Sequence, residues 1–319
     1  MLEVELDIFS GRPNPTWQLS EKEEKQLMDR VVAEPAQLSA TSPSEEDFGL
    51  GYRGFVVRQI KQDNGPWSTT KRPTGVRFAA GLTAPRGLLP LEFRAGSKSG
   101  KGTSVADFLL KTSERRGSPA TDVLREVVRG GVSRVPALKG PVEPPTRAKA
   151  AAALRTPKQI GVEGATWWAC PSAYYNANAA IFNDPQYVTQ NNCYCFASNH
   201  LANSRYALPG RRGGQPATSI TCAGVTAGLR ADGWVDTCQT NALTIAMVIW
   251  PGMDYHFYRV VTAGPAWWWG HKPGGTPARY TDNSGRALAN GLAPSNCDRG
   301  PYTDFCGFFY QNNLTAFVA

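Results

Sequence analysis

Residues 1–160 contain no cysteine and no histidine. Chemistry that needs a thiolate, an imidazole or a Cys/His metal cluster must therefore come from residues 161–319, which hold all seven cysteines and all three histidines. No Cys-x-x-Cys pair occurs. Cys193 and Cys195 are separated by one residue, and Cys297 and Cys306 by eight; neither is a zinc spacing, so no metal site is expected. No paired carboxylates suggest glycoside hydrolysis. Gly96–Gly102 has lysines and glycines without the remainder of a phosphate-binding loop, and no cofactor is implied. The longest apolar run, Leu243 to Trp250, falls well short of the roughly 20 residues that span a bilayer. Met1 to Ile8 lacks the basic and apolar regions of a signal peptide, so the chain reads as cytoplasmic, or exported by a route without such a signal.

What is present divides the chain. Residues 1–160 carry 25 Lys+Arg against 18 Asp+Glu, whereas residues 161–319 carry 9 against 8. With 319 residues, two domains are expected. We place a small basic α+β module at 1–135, a Pro/Ala-rich linker at 136–160 and a second domain at 161–319. The basic module suits an anionic surface as partner. Its charges are dispersed rather than interleaved with aromatics, which argues against nucleic acid.

Leu2 to Phe9 alternates apolar and acidic residues and predicts a half-buried strand. Ser10-Gly-Arg-Pro-Asn-Pro15 is a turn. Ser20 with Glu23 forms a capping box that opens a helix to about Ala33. Further strands are expected at Gly49–Arg58, Val76–Ala80 and Leu88–Phe93, with helices at Asp107–Lys111 and Pro119–Arg129. In the second domain, helices are expected at about 192–204 and 222–232, and strands at 243–250, 254–261, 267–271 and 305–310. Helices followed by antiparallel strands make the fold class α+β.

The chemistry centres on Gln190-Asn-Asn-Cys-Tyr-Cys-Phe-Ala. Asn191 or Asn192 is a good N-cap, which puts Cys193 in the first helical turn, where unpaired N–H groups favour a thiolate. Cys195 lies about 200° around that helix and is structural. His200 is about 10 Å further along it, too far to act as base. Cys193-Tyr-Cys-Phe-Ala, followed by His256 in Asp-Tyr-His-Phe-Tyr-Arg and His271 in Gly-His-Lys-Pro-Gly, resembles the papain-like and NlpC/P60-like cysteine hydrolases over residues 190–271. The resemblance implies a helix packed on an antiparallel sheet, with Cys193 as nucleophile, His256 as base and His271 as the residue that orients it. The implied activity is cleavage of an amide bond in a peptide or peptidoglycan stem, through an acyl-enzyme. The same fold performing acyl transfer is one alternative. A disulfide-stapled binding module with a Trp-lined site and no chemistry is another.

Three further expectations attach to this site. If Thr262–Pro265 is a four-residue turn, strand positions pair when they sum to 527, and His256 faces His271 directly. Asp254 and Asp282 are rival orienting groups. Gln190, Asn191 and Asn192 are rival oxyanion donors beside the Cys193 N–H. Trp267, Trp268 and Trp269, adjacent on one strand, are expected to present at least one ring to a substrate groove.

Overall fold

A computed structural model describes residues 1–33, 38–39, 48–60, 92–97, 104–114, 121–135, 159–162, 165–168, 180–262, 268–289 and 291–319. The fold is mixed α+β, with helices and antiparallel sheets. The expected strand at Val76–Ala80 lies outside the described residues. The chain divides into two compact units. One comprises Met1–Ile8, Asn14–Glu45 and Gly51–Ser133; the other comprises Phe9–Pro13, Glu46–Leu50 and Arg134–Ala319. Ser10-Gly-Arg therefore groups with the residues that carry every cysteine and histidine. A division collinear with the chain does not express this.

The first unit contains β1 (Leu2–Asp7), β2 (Thr16–Gln18), β3 (Leu38–Ser39), β4 (Gly54–Gln59) and β5 (Glu92–Ala95), with α1 (Glu21–Ala33), α2 (Ser104–Glu114) and α3 (Asp122–Gly130). The strand order is β2-β1-β4-β5-β3. The capping box forms as its spacing predicts: the Ser20 N–H and hydroxyl donate to Glu23 Oε2 at 2.8 and 2.7 Å. The alternation of β1 does not separate wet from dry. Glu5 and Asp7 are both buried, because β1 lies between β2 and β4 and its acidic face meets arginines. Asp7 accepts from Arg53 Nη2 and Arg94 Nη1 at 2.7 Å each, and Glu5 pairs with Arg58. Buried charges persist only when paired in this way.

The second unit contains a hairpin of β6 (Gln159–Val162) and β7 (Ala165–Trp168). After α4 (Ala180–Asn183), α5 (Cys193–Ala197) and α6 (Cys222–Ala231), four long-range partners form a sheet: β8 (Ala242–Trp250), β9 (Asp254–Thr262), β10 (Trp268–His271) and β11 (Asp304–Asn312). Its order is β10-β9-β8-β11, antiparallel throughout. One face packs Leu243, Ile245, Met247, Ile249, Tyr255, Phe257 and Val261 against Phe196 of α5 and Val225 and Leu229 of α6. Side-chain alternation sends His256 and Tyr258 to the opposite face.

Two sequence expectations change here. The helix expected at 192–204 is five residues long. Ser198 N–H bonds back to Tyr194 O, and Asn199 and Asn203 take positive φ of 51° and 49°, a conformation Asn tolerates and that ends a helix. The β9–β10 register also differs. Tyr258 pairs with His271 and Val260 with Trp269, after a shift between Trp268 and Trp269. His256 is thus two positions off the expected partner, because an irregularity in the Trp run displaces the ladder. A shift of two keeps the same face, so the two histidines remain diagonal neighbours.

Candidate active site

Cys193 begins α5. Asn192 caps it: its Oδ1 accepts from Cys195 N–H at 3.2 Å, and its Nδ2 donates to Gly11 O at 2.8 Å and Ala207 O at 2.9 Å. The cap predicted from sequence is present, and its amide is wholly committed. Asn191 is committed too. It donates to Tyr187 O at 3.1 Å and accepts from Asn203 N–H at 3.1 Å. Neither amide is therefore placed to serve an oxyanion. Gln190 is exposed.

Cys193 is fully buried and is not in a disulfide. Its thiol is pushed well up, first by burial and then by the Asp254 charge; the Phe257 N–H and, more weakly, the Lys272 ammonium act in the opposite sense. The resting group is a thiol. The expectation of a pre-formed thiolate at the helix start is corrected, since burial outweighs the few N–H groups of a five-residue helix. The Phe257 N–H reaches a sulfur rather than a strand carbonyl. It therefore points to the β10 edge of β9, where the ladder has ended at His271. The sulfur accordingly meets β9 at the residue after His256.

His256 and His271 come together. His256 Nε2 lies 2.9 Å from His271 Nδ1, and His271 Nε2 lies 2.8 Å from Thr281 O. A carbonyl only accepts, so His271 Nε2 carries the proton. Burial, aided by the Arg279 charge, lowers His271 to about 3 against the opposing Thr281 bond. The ring is neutral, and its Nδ1 is an acceptor. His256 Nε2 must then donate, which leaves the lone pair of neutral His256 on Nδ1. Tyr258 stacks on His271 at 4.7 Å and meets His256 edge-on at 5.0 Å. Tyr302 lies 5.6 Å from the His256 ring. The rings fix both imidazoles.

The two rival aspartates have other work. Asp282 accepts from the N–H groups of Ser284, Arg286 and Asp298 and pairs with the Arg286 guanidinium; it organises a loop. Asp254 accepts from Ser10, Gly11 and Arg12 N–H, at 2.6 Å from Ser10, and from Tyr302 Oη at 2.6 Å. Burial raises it to about 6, opposed by these same donors. Gly11 O in turn accepts from Tyr255 Oη at 2.8 Å. Residues 10–12 therefore hold two segments at once: Asn192 before Cys193, and Asp254–Tyr255 before His256. Sequence reading identified this stretch as a turn and missed its role, because its partners lie more than 180 positions away.

Trp269 is buried against Phe308 at 5.6 Å. Trp268 is half-buried against the α5-side core, and Trp267 lies outside the described residues. Cys222 and Cys306 form a disulfide, and Cys238 is disulfide-bonded as well; Cys195 and Cys297 are free thiols. Among the described residues, no helix is long and apolar enough to cross a membrane, and no group of three or more His, Cys, Asp or Glu could hold a metal ion.

Comparison with known families finds no matching family model, and no solved structure matches. Among curated proteins, insoluble matrix shell protein 1 of Ruditapes philippinarum is 41% identical over 122 residues, which is 37% of this chain and 78% of that protein.

Proposed function

The chain belongs to the family of insoluble matrix shell protein 1, and we propose that its second unit is a cysteine hydrolase of papain-like or NlpC/P60-like type, acting on an amide bond in a peptide or peptidoglycan stem. The observation that carries the reading is the directed chain from His256 through His271 to the Thr281 carbonyl. It fixes tautomers and leaves the base on His256 Nδ1. A free thiol kept in a unit that also holds disulfides supports it.

In the proposed reaction the Cys193 sulfur, held at the edge of β9 by the Phe257 N–H, must reach past that edge to the face on which His256 lies; the thiol then gives its proton to His256 Nδ1 as the sulfur attacks the carbonyl carbon. The imidazolium formed donates from Nε2 to His271, which stays neutral and accepts. The Cys193 N–H is the candidate donor to the oxyanion. The tetrahedral adduct collapses as the proton passes to the leaving amine, the C–N bond breaks, and a thioester remains. Water, deprotonated by His256, then releases the acid and restores the thiol. An amine in place of water gives acyl transfer.

The test is hydrolysis of a peptide or peptidoglycan-stem substrate by the full chain. Cys193→Ala should abolish it with the fold retained, and Cys195→Ala should retain most of it. Loss with Cys195→Ala and not with Cys193→Ala would identify the wrong nucleophile.

A second reading has its own observations. The relative is named for an insoluble shell matrix, the Cys222–Cys306 bridge staples α6 to β11, and Cys193, His256 and His271 are all buried. A non-catalytic matrix or binding module would leave Cys193 inert to small alkylating reagents in the folded protein, with no turnover on any amide tried.

A further inference from the structure

Tyr302 is fully buried and touches both Asp254 and His256. Its hydroxyl donates to Asp254 Oδ2 at 2.6 Å, and its ring centre lies 5.6 Å from that of His256, with the ring planes at 53°. Asp254 and His256 are two apart on β9, so their side chains leave the same face about 7 Å apart along the strand. One tyrosine lying along the strand spans them. Its hydroxyl at the Asp254 end fixes where its ring sits at the His256 end. Trp250, which pairs with Asp254 in the β8–β9 ladder, meets the same ring at 6.1 Å. The turn that delivers Tyr302 is itself closed: Tyr302 N–H donates to Arg299 O at 3.3 Å, and Arg299 Nη2 donates to Thr303 O at 2.9 Å.

An imidazole needs a neighbour to hold its orientation, because rotation about its Cβ–Cγ bond is only weakly restrained by the side chain itself. A half-turn of His256 exchanges Nε2 with Cε1 and Nδ1 with Cδ2. It puts a carbon against His271 Nδ1, where Nε2 now lies at 2.9 Å, and carries the Nδ1 lone pair to the other side of the ring. We propose that Tyr302 is a positioning residue for His256 and that Asp254 orients the histidine through it. The hydroxyl–carboxylate bond fixes the Tyr302 ring, and the ring keeps the imidazole in the orientation in which Nε2 reaches His271. The bond has the length of a charge-assisted one, and a site held by such supporting contacts keeps its geometry. Asp254, which sequence reading had as a rival to His271, thus acts on the same ring from a second direction. The consequence for rate rests on reading His256 as the base; the orientation of the ring does not.

The experiment follows the His256 ring in the folded full chain by NMR with nitrogen-labelled histidine, reading the tautomer and the rate at which the Nε2 proton exchanges with water. The parent should show one tautomer, protonated on Nε2. Tyr302→Phe keeps the ring and removes the hydroxyl, and the proton should exchange about three- to tenfold faster, the scale of one hydrogen bond. Tyr302→Leu removes the ring as well and should accelerate exchange further. Val225→Ala, which loosens the core on the other face of the sheet, should keep the parental rate. If Tyr302→Leu does not fold, the nearly isosteric Tyr302→Phe carries the test. Folded Tyr302 variants with the parental tautomer and exchange rate overturn the proposal. So does an equal acceleration in Val225→Ala, since a packing role lowers stability without singling out this proton. On the hydrolase reading, kcat should fall in the same order with KM unchanged. Faster exchange in a protein with no amide turnover leaves Tyr302 its role and removes the hydrolase reading instead.

Discussion

His256 Nε2 and His271 Nδ1 lie 2.9 Å apart although their residues are not paired in the β9–β10 ladder. The contact is diagonal, which long ring side chains can bridge. It has a kinetic consequence for the proposed reaction. Losing His256 should cost on the order of 100- to 10,000-fold in rate, the usual scale for a general base. His271→Asn should cost less than His271→Ala, because an amide can still accept from His256. The double variant should be little worse than His256→Ala alone, since the two act as one unit. Additive losses in kcat/KM would show that His271 does not work through His256.

The same pair sets a pH dependence. His271 is lowered to about 3 in the folded chain, below the ordinary histidine value of about 6.5. Between these limits the unfolded chain binds the extra proton, so stability is fully present above about pH 6.5 and is lost as pH falls toward 3. Asp254, raised to about 6, works in the opposite sense: its contribution is present below the ordinary carboxylate range and lost as pH rises through about 6. Thermal unfolding of His271→Asn should lose the acid-side slope between pH 6.5 and 4 and keep the Asp254 slope. An unchanged acid limb would exclude His271 as its source.

Gly11 has no room for a side chain. A Cβ there would lie 2.3 Å from Tyr255 Cε2 and 2.6 Å from Tyr255 O. The second atom is backbone of β9, so the strand or the loop must move. Gly11→Ala should therefore destabilise the protein by about 1–3 kcal/mol, the usual scale of overpacking, and should lower the proposed activity more than an equally destabilising change remote from the site. Denaturant unfolding and a rate measurement on the same variant decide it. A Gly11→Ala protein with parental stability would mean that residues 10–12 do not hold Asp254 and Asn192 as described.

In the first unit, burial by itself would raise Asp7, but Arg53 and Arg94 outweigh it and hold the carboxyl well below its usual range. The contribution to stability is present above the ordinary carboxylate range and lost as pH falls below it. Asp7→Asn leaves two buried guanidiniums without their anion and should cost about 3–5 kcal/mol at neutral pH. The loss should shrink on acidification, as the parent itself becomes protonated. A neutral-pH loss under about 1 kcal/mol would show the network to be marginal.

Local sequence determined a good deal of this protein. The capping box at Ser20 and Glu23, the Asn192 cap, the limits of α6, and strands β8, β9 and β11 follow from residue types and spacing over a few positions, where propensity and alternation act directly. The joint presence of His256 and His271 on one face was also legible, because parity along antiparallel strands survives a shift of two. Tertiary structure decided the rest. A bulge beside Trp268 changed the register, two asparagines at positive φ cut α5 to five residues, and neighbouring strands buried the acids of β1 that alternation had placed in water. Burial also reversed the expected direction of the Cys193 thiol. Desolvation depends on every atom that surrounds a group, and groups that act on Cys193 and Asp254, such as Phe257, Tyr302 and residues 10–12, come from segments tens to hundreds of residues away.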